Sequence, residues 1–304
     1  MPTLRNSRSM ASNGQTAHLP VMLSEVVGLL AIRQDGIYVD MTVGLGGHSA
    51  TMLEELGPDG QLIGIDRDDA ALSRAAERLT DERVRLVKGR FSEVGEIIAG
   101  LGINAVDGLL FDLGVSMLQL REHERGFSFM SDARLDMRMD ASDGRSAWEV
   151  VNRYSEKELQ RILTEYGEEP HFRKIAKRIV GARQASPVNT CKELADIVLQ
   201  AYGGRGKTHP ATRTFQAIRI EVNSELDELR KGLSAAFGVL KPGGRNCVIA
   251  YHSLEDRIVK NVFREMGKEG SIKILTKKPL APARDEVLRN PASRSAKLRG
   301  AEKL

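Results

Sequence analysis

"VDMTVGLGGHS" (residues 39–49) closes a short apolar run with Gly44, Gly46 and Gly47 and leads into a helical pattern. A strand ending in such a turn before a helix is a nucleotide cradle. Glycine admits positive φ and close approach of a ligand, and the helix N-terminus attracts anions. This turn, however, contains Asp40 and no Lys or Arg. A pyrophosphate would meet an uncompensated carboxylate there. The G-x-G-x-x-G pattern fails at Ser49, and no Gly-Lys-Ser/Thr follows, so the dinucleotide and P-loop readings both fail.

Strand and helix alternate outward from the turn. "GIYVDM" (36–41), "QLIGID" (61–66), "VRLVKGRF" (84–91) and the nearly all-apolar "VDGLLFDLG" (106–114) read as strands. Leu72, Ala75, Ala76 and Leu79 give one helical face between them, and Val94, Ile97, Ile98 and Leu101 give another behind a Ser92 cap. Such units predict a parallel sheet with right-handed crossovers. The next strand, "RNCVIAYHS" (245–253), comes only after a helix opening at Ser224 and a "KPGG" stop at 241–244. The intervening chain carries capping boxes at Ser155/Glu158 and Thr190/Glu193. A helical insert over 122–211 is therefore expected, with a sheet domain at 18–121 and 212–304 and a disordered leader over 1–17. An insert rooted at a strand's carboxyl end overhangs the ligand crevice, where substrate selection is its natural task.

A ligand with an ammonium and a carboxylate but no phosphate reconciles glycines with Asp40. The amino-acid end of S-adenosylmethionine has both groups. The amides of Gly46 and Gly47 would take its carboxylate and Asp40 its ammonium, directly or through water. Asp66 ends the second strand, where an acid accepts from ribose hydroxyls. Phe91 ends the third and would lie against adenine. Asp112 and Gln119, at and after the fourth, would reach the adenine or methionine parts.

Hydrophobic residues make up 41% of the 304 residues, as in ordinary packed proteins. The two cysteines, Cys191 and Cys247, have no metal-ligand spacing, so neither a zinc site nor a disulfide framework is expected. No run is long and apolar enough for a membrane span. Net charge is only +4, but residues 203–219 hold Arg205, Lys207, Arg213 and Arg219 without an acid, and residues 268–304 hold ten Lys or Arg against four Asp or Glu. Such segments suit a polyanion or a solvated basic face.

"VGLGGHS" (43–49), "LLFDLGVS" (109–116), "ERGFSFM" (124–130), "LDMRMD" (135–140), "HPATRTFQAIRIEVNSEL" (209–226) and "HSLEDRIVK" (252–260) resemble, in order, the bacterial 16S ribosomal RNA cytosine-N4 methyltransferase family, MraW/RsmH. The resemblance implies a Rossmann-like class I methyltransferase sheet with an inserted helical substrate-recognition domain. It also implies methylation of cytosine N4 in the decoding, P-site region of the small-subunit RNA with S-adenosylmethionine. Cofactor contacts then fall on Gly46, Gly47, His48, Asp66, Phe91, Asp112 and Gln119, of which His48 comes from the resemblance alone. The family implies a cytoplasmic protein whose partner is 16S RNA or the small subunit, with no membrane and no metal; a homodimer is compatible with it.

Transfer to N4 needs no cysteine nucleophile, but it does need the base unstacked and an acceptor for the amine hydrogens. Asp112 is the candidate acceptor and His252 a candidate base contact beside Tyr251. Lys207, Arg213 and Arg219 are candidate phosphate contacts, and Arg125, Phe127 and Phe129 candidate stacking groups. Two alternatives stay open: N4-cytosine methylation of another RNA or of DNA, and a non-catalytic RNA-binding assembly factor.

Overall fold

The computed structural model describes residues 20–116, 118–119, 122–202 and 209–304. The expected leader and Lys207 lie outside them. The sheet half opens with α1 (Leu23–Leu30), β1 (Ile37–Asp40), α2 (Gly47–Glu55), β2 (Gln61–Asp66), α3 (Asp69–Arg78), β3 (Val84–Lys88), α4 (Val94–Gly100) and β4 (Val106–Asp112). A helical stretch follows: α5 (Ala147–Arg153), α6 (Glu156–Glu165), α7 (Phe172–Ala185), α8 (Cys191–Tyr202), α9 (Ala211–Asn223) and α10 (Glu225–Val239). The chain ends with β5 (Leu240–Ala250), α11 (Ser253–Lys268), β6 (Ile272–Ile274), α12 (Arg284–Arg289) and β7 (Lys297–Lys303).

The strands form one sheet in the order β3-β2-β1-β4-β5-β7-β6. β1 to β5 are parallel, and β7 runs antiparallel between β5 and β6. This is the expected Rossmann-like α/β sheet. Its order reverses between β1 and β4, which opens a crevice at their carboxyl ends. β6 and β7 were not read from the sequence, because "KLRGAEK" lacks the alternation that marks a strand.

Among the described residues three large apolar clusters hold the molecule together, and a small fourth joins Val43, Ala75 and Leu79 beside the turn after β1. One sheet face packs Val39, Ile63, Leu109 and Phe111 against α4, α10 and α11. The other packs Tyr38, Leu62 and Leu110 against α1 and α2. The helical unit has its own core of Leu159, Ile162, Ile175, Ile179, Leu194 and Val198. Phe215, Ile218 and Val222 on α9 join that core, so by packing the unit runs on past residue 211 to Val222.

The Ser155 and Thr190 boxes form as expected. The box that starts α11 is His252 with Glu255. Asp256, in the first turn of that helix, binds Arg299 and Lys297 on β7. Ser224 supplies no side-chain cap; it sits at φ 50° as a hinge between α9 and α10. Ser92 donates to Glu228 and does not cap α4. "KPGG" lies inside β5, bulged where pairing jumps from Val106–Leu240 to Gly108–Arg245. β3 stops at Lys88, and Phe91 opens a short 3₁₀ turn.

Gly232 on α10 faces that turn: a Cβ there would stand 2.3 Å from Phe91 Cβ. We predict that Gly232→Ala destabilises the fold by ~1–3 kcal/mol through overpacking, despite the better helix propensity of alanine. Chemical denaturation measures this, and an unchanged or raised midpoint would contradict it.

Candidate functional site

A cleft of about 340 Å³ opens at the carboxyl ends of the parallel strands. Its floor is the turn after β1, which curls back because Gly44 and Gly46 hold φ of 52° and 72°. Asp66, ending β2, fixes the turn: Oδ2 accepts from Gly44 N–H and Oδ1 from Asp68 N–H, both at 3.0 Å. Desolvation at the packed strand ends pushes the Asp66 carboxyl up to about 6.

Asp40 stands under the floor and off the cleft wall. It is 1% exposed and accepts from Thr42 N–H at 3.1 Å and the Ser49 hydroxyl at 2.7 Å. Its expected contact with a ligand ammonium is therefore corrected: the carboxylate is already enclosed by the turn it supports. Gly46 also points away, since a Cβ there would meet Leu79 at 3.0 Å. Gly47 does line the cleft, pressed against Pro20.

Asp112 ends β4 on the cleft wall, and the Tyr251 hydroxyl donates to its Oδ1 at 2.7 Å. Burial pushes the Asp112 carboxyl up. Burial also pushes the Tyr251 hydroxyl far up, so it remains a donor. His48 stands 2.9 Å from Val21 O through Nε2 and 3.5 Å from Asp112 Oδ2 through Nδ1. With Nε2–H donating to the carbonyl, Nδ1 is turned toward the Asp112 carboxyl.

Phe91 lines the opposite wall, edge-on to Phe111 at 5.3 Å. Gln119 lines it too, with Nε2 donating to Asp68 at 2.9 Å. His252 closes the far end. Its Nδ1 accepts from Glu255 N–H at 3.3 Å. Its Nε2 lies 3.2 Å from Glu255 Oε1 but makes no hydrogen bond. Burial opposes ionisation of Glu255, but donors from His252 and the nearby Arg219 charge hold its carboxyl below the usual range.

Every arginine on the wall is already matched. Arg219 donates from Nε and Nη2 to the two Glu225 oxygens, both at 2.8 Å. Its expected role as a phosphate contact is corrected accordingly, since the guanidinium is packed and neutralised. The pair also occupies one carboxylate of the Glu225, His252 and Glu255 cluster. Arg67 donates to Asp143 at 2.9 Å and to the Asn223 carbonyl at 3.0 Å, and Arg90 donates to the same Asp143. Arg125 is bound to Asp68 and Phe127 is buried, so neither is free to stack on a base. Phe129 stacks on His209 with ring centroids 4.4 Å apart. Arg213 is exposed and donates to Glu168 O at 2.9 Å.

The cleft therefore offers carboxylates and apolar walls, with its cations internally compensated. It favours a cationic ligand carrying a nucleoside over a phosphate-bearing one. Sequence reasoning missed Arg67, Arg90, Asp143, Glu225 and Glu228. Asp143 lies 76 residues from Arg67 and 53 from Arg90, and Glu228 lies 136 from Ser92; Glu225 is only six from Arg219, but for it too only charge type was visible.

Asp143 joins the segment before α5 to both flanks of the cleft. We predict that Asp143→Asn costs ~1–3 kcal/mol and loosens residues 136–144 over Arg67 and Arg90. Hydrogen exchange of that segment and denaturation report the change, and wild-type protection in the variant would refute it.

Residues 15–304 match the MraW methylase family. A Ribosomal RNA small subunit methyltransferase H of Caldicellulosiruptor saccharolyticus is 48% identical over 304 residues, spanning 94% of this chain and 99% of the relative. One of Geobacter sulfurreducens is 50% identical over 309 residues, spanning 95% and 99%. The crystal structure of an rRNA methylase from Streptococcus thermophilus aligns with a TM-score of 0.43 and 13% identity over 95% of this chain and 99% of that one. By sequence along nearly its whole length, the chain belongs to the MraW methylase family.

Proposed function

We propose that this chain transfers a methyl group from S-adenosylmethionine to N4 of a cytosine in the decoding, P-site region of 16S ribosomal RNA, acting on RNA or the small subunit. The observation that carries the reading is the charge arrangement of the cleft: Asp66 and Asp112 face it while Arg67, Arg90 and Arg219 are held by carboxylates of the chain. The names of the relatives support the RNA class, and the motif resemblance supports the base and position.

S-adenosylmethionine supplies an electrophilic methyl on a sulfonium. The residues here fit it, with Asp66 at the ribose, Phe91 beside adenine, and Gly47, His48 and Gln119 along the remaining wall. Asp40 acts from beneath by shaping the turn. Asp112 is the proposed acceptor for the N4 hydrogens, which draws the amine lone pair out of conjugation. Tyr251 and His48 hold Asp112 in place. His252 lines the base end of the cleft, held there by Nδ1 accepting from Glu255 N–H and by Nε2 facing Glu255 Oε1. Alignment of the two reactants supplies up to ~7–11 kcal/mol of barrier reduction without a covalent intermediate.

The deciding experiment incubates the protein with methyl-labelled S-adenosylmethionine and small subunits or 16S RNA, then digests to nucleosides. N4-methylcytidine is expected; label in another nucleoside or none at all would reject the reading. We predict that Asp112→Ala lowers turnover at saturating cofactor by at least ~100-fold with the fold intact by circular dichroism. Retained turnover would remove Asp112 from the mechanism.

Asp66 gives a pH signature. A ribose hydroxyl donates best to the ionised carboxylate, so S-adenosylmethionine affinity should fall as pH drops through about 6, and Asp66→Asn should abolish this dependence. The stability effect has the opposite sign. An acid raised from 3.8 to about 6 contributes stability that is complete below 3.8 and lost as pH rises through 6. Calorimetric titration from pH 5 to 8 (roughly the window of one carboxyl at that value) tests both, and a flat affinity in the wild type would contradict the assignment.

A further inference from the structure

α7 reads "FRKIAKRIVGARQA", with five cations and no acid. Ile175, Ala176 and Ile179 are buried in the core of the helical unit. The helical period then turns Arg173, Lys174, Lys177 and Arg178 outward, and all four are exposed. The fifth, Arg183, is tied to the carbonyls of Val151 and Tyr154 at 2.6 and 2.5 Å. Neighbouring helices pair their charges: Arg161 with Glu165 and Glu221, Lys192 with Asp196. Among the described residues the outward four have no carboxylate partner. Arg178 reaches only the Gln200 side chain at 3.3 Å, and Arg173 lies over the Phe172 ring at 5.1 Å. Like charges at i, i+3 and i, i+4 destabilise a helix, so this face is costly to the isolated chain.

The helix also begins at the rim of the cleft. Glu168, four residues before Phe172, accepts from Ser253 Oγ at 2.6 Å and from Arg257 at 2.9 Å, and its carbonyl accepts from Arg213 at 2.9 Å. Ser253 adjoins His252 on the cleft wall. From that rim the 14 residues of α7 extend ~20 Å.

We infer that the outward face of α7 is a docking surface for the phosphate backbone of the RNA flanking the target base. The inference rests on the proposed function and extends it to a named surface. Charge complementarity selects the occupant: four unpaired cations in two successive turns match phosphates strung along a strand, and the rim position lets the same strand deliver a base to the cleft. The contacts are to backbone, so they give affinity and salt dependence without reading sequence.

The test uses the full chain with Lys174→Ala, Lys177→Ala and Arg178→Ala combined, and Lys231→Ala on α10 as a control. Binding to small subunits and to 16S RNA is measured across a salt series. Removing three phosphate contacts should make the slope of log K against log salt shallower by about 2–3 and weaken binding ~10- to 100-fold near 0.1 M salt. Melting temperature and S-adenosylmethionine affinity should stay at wild-type values, and Lys231→Ala should leave the slope unchanged. Replacing the same three residues with Lys174→Arg, Lys177→Arg and Arg178→Lys should retain the slope. An unchanged slope in the alanine variant overturns the inference. So does loss of binding to polyglutamate with RNA binding intact, which would move the surface to an acidic protein partner. Nucleoside analysis keeps the two readings apart. N4-methylcytidine with equal slopes removes only the α7 surface, and a shallower slope without methyl transfer by the wild type removes only the proposed reaction.

Discussion

Asp66 takes the N–H groups of Gly44 and Asp68, and Asp40 takes Thr42 N–H and the Ser49 hydroxyl. Three of these bonds hold the turn after β1 and the start of α2, the fourth holds the turn after β2, and the cleft's geometry depends on both turns. A desolvated carboxylate is tolerated only when donors surround it, and here the donors are three backbone N–H groups of these turns and the Ser49 hydroxyl. The same bonds leave the faces of Asp66 and Asp112 toward the cleft as its main uncompensated polarity. The site is thus electrostatically biased before any ligand arrives, and the bias comes from strand ends that the sheet topology brings together at its reversal point.

A second constraint sits above the first. Arg67 follows Asp66 and Arg90 precedes Phe91, so the two arginines flank the strand ends that form the cleft. Both reach Asp143, and Arg125 crosses to Asp68 beside Gln119. Asn223 completes the joint by accepting from Met139 N–H and donating to the Met137 carbonyl. The helical unit and the sheet therefore meet through partly buried ion pairs and a buried amide. Removing one partner of such a joint leaves a poorly solvated charge, so the joint is sensitive to single substitutions.

The wall arginines and the α7 cations illustrate how one residue type serves two ends. Arg219, Arg67 and Arg90 look, by composition, like candidates for phosphate. Packing assigns each a carboxylate and takes it out of reach of a polyanion. Among the described residues Arg173, Lys174, Lys177 and Arg178 have no carboxylate partner, and they face solvent. Charge counting along the chain ranks the two groups alike, and only the partners separate them.

The period-two and 3.6-residue patterns, the glycine turn and two of the capping boxes set the strand–helix order, the parallel sheet and the position of the helical unit, because those properties depend on neighbours within a few residues. They likewise placed Asp66 and Asp112 at strand ends, and Phe91 and Gln119, which lie in the segments just beyond strands, line the same cleft. Tertiary structure decided the rest. Asp40 turned under the floor, Gly46 faced Leu79, Arg219 was captured by Glu225, and His252 became the cap of α11. β7 formed from a stretch with no strand pattern because β5 and β6 supplied partners on both sides. Some of these meetings cross tens of residues, as Gly46 with Leu79 and β7 with β5, and others join near neighbours, as Arg219 with Glu225 and His252 with Glu255; in each, packing, hydrogen bonding and desolvation in the folded molecule chose among partners that residue order leaves open.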